Sequence, residues 1–210
     1  MSGQNAPHFG KNTWQGLLLD ARDLACERGG RLILKDLNFS VASGEAIELR
    51  GPNGAGKSSL LRLLAGLNRP AAGNLKFSED SLAESSHYIG HQEALKPALT
   101  VRENLDFWSR FLGGHASANL TAFRLENLGD DETRFLSEGQ RRRLALSRLV
   151  SVPRPVWLLD EPTIGLDQTA LSDLRREMEN HLTKGGLIIA ATHTALGLTS
   201  ARILEIVRAA

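Results

Sequence analysis

Three clusters of residues in this 210-residue chain have types and spacings suited to chemistry on phosphates. The first is Gly51-Pro52-Asn53-Gly54-Ala55-Gly56-Lys57-Ser58, followed by Ser59. Glycines let successive backbone N–H groups turn inward and form a nest for phosphate oxygens. A helix beginning at the lysine would aim its positive end at the same place. Lys57 can reach the β- and γ-phosphates of a nucleotide, and Ser58 can ligate Mg²⁺. The second cluster is Asp160-Glu161, at the end of the apolar run Val156–Leu159. Neighbouring side chains on a strand diverge, so Asp160 can serve the metal while Glu161 polarises a water in line with the γ-phosphate. The third is His193, just beyond the apolar run Leu187–Ala191, where it would contact the γ-phosphate. Gln92 follows the short run His87–Gly90 and could join the metal shell.

The elements that must position these residues follow from the hydrophobic pattern. Leu17–Ala21, Leu32–Val41 and Glu45–Arg50 read as strands, the second with Leu37, Phe39 and Val41 on one face. Leucines at 60, 61, 63, 64 and 67 make a helical stripe over Ser59–Leu67, broken at Asn68–Gly73. Thr100–Leu112 reads as a helix with Thr100 as N-cap and Glu103 three residues on. Residues 113–136 are small, polar and partly helical in pattern, and a basic helix follows over Glu138–Leu149 until Pro153 and Pro155. A solvated basic face is the bland reading of Arg141, Arg142, Arg143 and Arg148, expected to hold for some of them. Val156–Leu159 and Leu187–Ala191 are apolar throughout, as in strands buried on both faces, and Leu171–Leu182 is a helix between them. Strands alternating with helices predict an α/β fold with a mostly parallel sheet, interrupted by a helical insert over about 93–150.

Composition bounds the function classes. Twenty-five Lys+Arg against 24 Asp+Glu leave a formal charge of +1, which argues against a nucleic-acid binder. At 41% hydrophobic and 23% charged the chain reads as globular, and its length fits one domain. The longest stretch without Asp, Glu, Lys or Arg, Gly185–Ala201, has 17 residues and includes His193 and three glycines, a poor membrane span. The polar first 16 residues do not read as a signal peptide, and the expectation is a protein that stays where it is made. Cys26 is the sole cysteine, so no intrachain disulfide or cysteine metal cluster can form. Residues 1–15 read as a flexible extension with Trp14 as its one anchor candidate, leaving a single domain over 16–208.

Leu136-Ser137-Glu138-Gly139-Gln140 narrows the class. It resembles the signature of ATP-binding-cassette (ABC) ATPases, and the order fits: phosphate loop, Gln92, signature, Asp160-Glu161, Gly165-Leu166-Asp167, then His193. The resemblance spans about residues 17–208 and implies a P-loop NTPase fold of the ABC type, with an antiparallel β edge beside the parallel core. It implies ATP hydrolysis with Mg²⁺, and a homodimer in which each ATP lies between the phosphate loop of one copy and Leu136–Gln140 of the other. Asp167 would lie in a loop touching the second copy. Arg28 stands where the family places an aromatic residue against adenine, and a guanidinium plane can also stack on a base. Thr163-Ile164-Gly165-Leu166 replaces the commoner serine-alanine version of the dimer loop. Cys26-Glu27-Arg28, the compact insert and Tyr88-Ile89-Gly90-His91-Gln92 are similar to the ATPase subunits of haem-export transporters of cytochrome c biogenesis. That likeness implies an integral membrane permease as partner, further cytochrome c maturation membrane proteins around it, and a peripheral location on the cytoplasmic face of the bacterial inner membrane. The insert over 93–135 would receive a permease helix. Within the family the alternative is the ATPase subunit of another ABC transporter. The alternatives from other classes are a soluble cassette ATPase acting on DNA or ribosomes, and a regulatory subunit without turnover. The short insert and near-zero charge oppose the first of these; the filled catalytic positions oppose the second.

Overall fold

A computed structural model describes residues 14–114 and 119–208. The element order opens with a long hairpin: β1 (Leu18–Arg28) and β2 (Arg31–Ala42), antiparallel from Leu18↔Ala42 to Arg28↔Arg31. Gly29 and Gly30 join them with φ of 59° and 74°, the paired left-handed conformation that a tight two-residue hairpin turn needs. β3 (Ala46–Arg50) leads through the glycine-rich loop into α1 (Lys57–Leu64). β4 (Ala72–Phe77) returns to the free edge of β1, which gives a three-stranded antiparallel sheet in the order β2-β1-β4.

The second sheet is parallel throughout. It contains β5 (Ser86–Ile89), β6 (Val156–Asp160), β7 (Leu187–Ala191) and β8 (Ala201–Glu205), in the order β5-β6-β7-β3-β8. All residues of β6 and β7 are buried, as their unbroken apolar runs predict. Between β5 and β6 lie α2 (Val101–Phe111), three short 3-10 turns and α3 (Glu138–Ser151); α4 (Gln168–Thr183) joins β6 to β7.

Three apolar clusters hold these layers. Leu60, Leu61 and Leu64 of α1 pack with Leu19 of β1, Leu49 of β3, Leu158 of β6 and Ile189 of β7, so α1 lies between the two sheets. On the other face of the parallel sheet, Trp157 and Ile188 pack with Leu146 and Leu149 of α3 and with Leu174 and Met178 of α4. The insert has its own cluster of Val101, Leu105, Leu120, Leu125, Leu136 and Leu144. Thr100 caps α2 as expected: its hydroxyl accepts the Glu103 N–H at 3.2 Å, and the Glu103 carboxylate accepts the Thr100 N–H at 2.8 Å. The buried Asn104 amide then donates to the Lys96, Leu99 and Thr100 carbonyls and to the Thr133 hydroxyl, which ties α2 to the segment leading into α3.

The structure corrects several sequence expectations. β1 runs seven residues past Ala21, because shifts of register at Ala21/Leu24, Leu24/Cys26 and Cys26/Glu27 break the alternation that marks a strand. β4 and β8 are additional strands, each on a sheet edge with mostly exposed or half-exposed residues and only a short apolar signal: Leu75 and Phe77 of β4 and Leu204 of β8 pack half-buried against the core. Residues 119–136 hold 3-10 turns in place of regular helix. Trp14, by contrast, is the anchor expected of it: its backbone N–H donates to the Lys184 carbonyl at 2.6 Å and its ring lies 5.2 Å from that of His181. The remainder of the N-terminal extension, residues 1–13, lies outside the described residues.

Candidate active site

The phosphate loop occupies the crossing from β3 to α1 at the carboxyl edge of the parallel sheet, the usual ligand-binding end of such sheets. Gly51, Gly54 and Gly56 have φ of 144°, 78° and 110°. At Gly51 a Cβ would collide with the Ile206 carbonyl, and at Gly56 it would lie 2.7 Å from Ile33 of β2. Only glycine satisfies both the turn and the packing at these two positions. Gly56 is also the N-cap of α1 and contributes no side-chain cap, so the first-turn N–H groups remain for an anion. Lys57 is only 8% exposed, and its Nζ donates to the Gly51 carbonyl at 2.7 Å and the Pro52 carbonyl at 3.1 Å. Its ammonium is thereby held at the loop's mouth.

A cleft of about 470 Å³ opens above the loop. Its walls include Arg28, Asn53, Gly54, Ala55, Gly56, Lys57, Ser58 and Ser59 on one side and Asp160, Glu161 and His193 on the other. Segments separated by more than 100 residues therefore meet in one space, because β3, β7 and β6 are neighbours in the sheet and all end at the same edge. Asp160 is 5% exposed at the tip of β6. Glu161 leaves the strand in a left-handed conformation, φ 46°, while its N–H donates to the Ala191 carbonyl at 2.9 Å. That turn separates the two acids and brings Glu161 Oε1 to 3.3 Å from His193 Nε2. An oxygen donor set of Asp160 and Ser58 beside a phosphate nest fits a hard divalent cation that takes its remaining ligands from phosphate and water.

Other predicted residues stand apart from this cleft. Gln92 lines an adjoining groove of about 700 Å³ with Glu93, Leu95, Pro97, Thr133, Arg134, Glu138 and Arg141. His91, Glu161 and Ile164 border both spaces. Ser137 and Gln140 are engaged with each other in a reciprocal cap of α3: Gln140 N–H donates to Ser137 Oγ at 3.3 Å, and Ser137 N–H donates to Gln140 Oε1 at 2.7 Å. Leu136 anchors the segment in the insert's core, and a Cβ at Gly139 would stand 2.9 Å from the Gly165 carbonyl. Asp167 caps α4 by accepting the Ala170 N–H at 2.8 Å. Pro52 lines neither space; its carbonyl contributes to the Lys57 contact instead.

The solvated basic face of α3 holds for some of its arginines, as expected, and fails for two. Arg142 and Arg148 are each 4% exposed. Arg148 sits over the Trp108 ring at 4.5 Å, and burial pushes its guanidinium down to about 10. Arg142 donates to the Gly90 carbonyl at 3.0 Å, the Asp160 carbonyl at 3.0 Å and the Glu161 carbonyl at 2.7 Å. Burial lowers its pKa too. It pins the Asp160-Glu161 turn and the start of the Gln92 loop to the signature helix. The sequence signal for this was weak: on a helix, Arg142 shares a face with the apolar Leu146 and Leu149, three or four residues apart.

The fold, the phosphate nest and the acid pair together define a nucleotide-hydrolysing cassette, and the chain belongs to the ABC transporter family, whose profile matches residues 34–164. It is an ABC-type ATPase. Among curated proteins it is 51% identical to the cytochrome c biogenesis ATP-binding export protein CcmA of Rhodopseudomonas palustris (strain HaA2), over 87% of this chain and 94% of that one. Identity to the protein of the same name from Nitrobacter winogradskyi is 50%, over 90% and 97% of the two chains. Among solved structures, an ATP-binding subunit of an ABC transporter aligns with a TM-score of 0.79 at 26% identity, covering 90% of this chain and 88% of that one. The cbiO1 protein of Clostridium perfringens, part of an ABC transporter complex, aligns at 0.69 and 27%, covering 84% and 78%. Among the described residues no helix is long and apolar enough to cross a membrane.

Proposed function

We propose that this chain is the ATP-hydrolysing motor subunit of a membrane transporter serving cytochrome c biogenesis, working as an ATP-bridged homodimer beneath an integral permease. The observation that carries the reading is the meeting of Lys57, Asp160, Glu161 and His193 around one phosphate-sized nest, with Glu161 and His193 3.3 Å apart. Loop N–H groups and Lys57 bind the β- and γ-phosphates, with Ser59 next along the same wall. Ser58 and Asp160 would hold Mg²⁺, with Gln92 joining them from the neighbouring groove, and the bound ion would supply neutralisation of the phosphate charge. Glu161 accepts a hydrogen bond from the attacking water and takes its proton as the water oxygen bonds to the γ-phosphorus and the bridging oxygen departs. His193 orients that carboxylate and donates to a γ-phosphate oxygen. Arg28 stacks on the base.

Ser137, Glu138, Gly139 and Gln140 face a second copy's nucleotide, with Asp167 and its loop beside them. The Ser137–Gln140 cap would exchange for phosphate contacts on closure. The groove of about 700 Å³, apolar at Leu95 and Pro97 and charged at Glu93, Arg134 and Arg141, suits a short amphipathic helix of the permease. Its border at Glu161 gives that partner a physical route to the hydrolytic site. The near-50% likeness to the two cytochrome c biogenesis export proteins supports the transport process, with haem as the proposed cargo, other maturation proteins as neighbours, and the cytoplasmic face of the bacterial inner membrane as location.

The test is Glu161→Gln. It should keep ATP affinity, lower kcat by about 10²–10⁴-fold and accumulate an ATP-bound dimer on size exclusion. Turnover near wild type would remove Glu161 from the role assigned here. Affinity purification from membranes should recover one integral permease; its absence would refute the transport assignment.

A further inference from the structure

We propose that Glu48 and Arg50, two residues of β3 outside the phosphate loop, form a positioning pair that holds the His193 loop in register with Glu161. This rests on the reading of His193 given above. Glu48 is a carboxylate in a central strand, flanked by β7 and β8, and only 4% exposed. A buried charge in such a place is costly unless it is paired and its lone pairs are filled, and an apolar residue would serve stability as well. Both conditions are met here. Glu48 Oε2 accepts from Arg50 Nε at 3.2 Å and from an Arg50 terminal nitrogen at 2.6 Å. Glu48 Oε1 accepts the Leu196 N–H at 2.8 Å. The other terminal nitrogen of Arg50 donates to the His193 carbonyl at 2.7 Å.

The pair thus grips the loop twice, at the carbonyl of His193 and at the amide of Leu196. Around the first of those points the Thr192 hydroxyl donates to the Thr194 carbonyl at 2.8 Å, which stiffens the turn at His193. Arg50 is also the residue immediately before Gly51, so the phosphate nest and the His193 loop share one anchor. The half-exposed imidazole is directed to Glu161, and the pair holds His193 by its backbone. The role is therefore positional: the distance from His193 to Glu161 is set from beneath, by a charge pair on the strand that carries the phosphate loop.

Replacing both members by methionine removes the grip without leaving a buried unpaired charge. Glu48→Met/Arg50→Met should keep the ATP KM within about twofold while lowering kcat about tenfold, as expected for a catalytic group displaced but not removed. In a His193→Ala background the same pair of substitutions should cost no further kcat, because the positioned group is gone. Arg50→Lys, which keeps a charged donor, should recover part of the turnover. If the double variant does not fold, Arg50→Gln, too short to reach the His193 carbonyl, should show the same loss confined to kcat. An unchanged kcat in the folded variant, or a loss that simply adds to that of His193→Ala, overturns the proposal. If His193→Ala itself retains full turnover, the role given to His193 fails and the positioning role fails with it. A loss in His193→Ala but none in the pair refutes the pair alone.

Discussion

Acidification from about pH 7.5 to about pH 5 should cost the fold roughly 4 kcal/mol through His87 and His181 alone. Both imidazoles are buried and neutral. His87 Nε2 contacts the Val152 carbonyl at 2.7 Å, and His181 Nε2 contacts the Pro155 carbonyl at 3.1 Å while its ring stacks 4.0 Å from Trp157. A hydrogen bond to a carbonyl uses the N–H of each ring, and a second proton would place a full charge in an apolar interior. Burial therefore pushes both down to about 3, with the neighbouring Arg154 and Arg148 adding repulsion at His87. In the unfolded chain each imidazole titrates near its ordinary value of about 6.5. Below that pH the unfolded state takes up protons that the folded state refuses, so stability present at neutral pH is lost as pH falls from about 6.5 towards 3. At pH 5 the deficit is about 1.5 pH units per histidine, or about 2 kcal/mol each at 1.36 kcal/mol per unit. Urea unfolding followed by circular dichroism across this range measures it directly. The variant His87→Gln/His181→Gln supplies the baseline, since glutamine can donate to the same carbonyls without titrating. Wild type should lose about 4 kcal/mol more than that variant. Equal pH slopes in the two proteins would show that the folded state accepts these protons and would refute the reasoning.

Two further predictions concern arginines that the cleft uses differently. Arg142→Met should lower stability by about 2–4 kcal/mol in the same unfolding assay, because the Gly90, Asp160 and Glu161 carbonyls lose their donor, and Arg142→Lys should recover part of it. Arg28→Ala should raise the ATP KM about two- to fivefold in steady-state kinetics with kcat little changed, since a stacking contact on the base acts on binding alone; an unchanged KM would remove Arg28 from the base site.

Much of the site was legible because its chemistry dictates residue types in a row. The loop from Gly51 to Ser58 needs glycine at positions where φ is positive or another backbone closes in, and such needs appear as letters in order. The acid pair was visible for a similar reason: an all-apolar run ending in two carboxylates has few other uses in a buried parallel strand. The capping box at Thr100 was a local pattern and formed as read. Edge strands β4 and β8 were not legible, since their apolar signal is only two residues long, Leu75 and Phe77 in β4 and Ile203-Leu204 in β8, and they exist because a neighbouring strand offers free N–H and C=O groups.

By itself, then, the amino-acid sequence determined the phosphate loop, the acids at the end of β6, the two buried strands and the periodicity of the main helices. Each of these depends on interactions spanning a few residues, so composition and spacing suffice. Tertiary structure alone decided which charges are buried and what they hold. Arg142, read as part of a solvated face, is enclosed and braces the Asp160-Glu161 turn; Glu48 and Arg50, unremarkable in the sequence, reach a loop more than 140 residues away. The physical reason is that the cost of burying a charge, and the partner that offsets it, depend on what the folded chain brings alongside. Gln92 and the signature residues make the same point from the other side. Their motifs were recognisable, yet only the fold showed them facing a groove and a helix cap beside the cleft that holds Lys57 and Glu161.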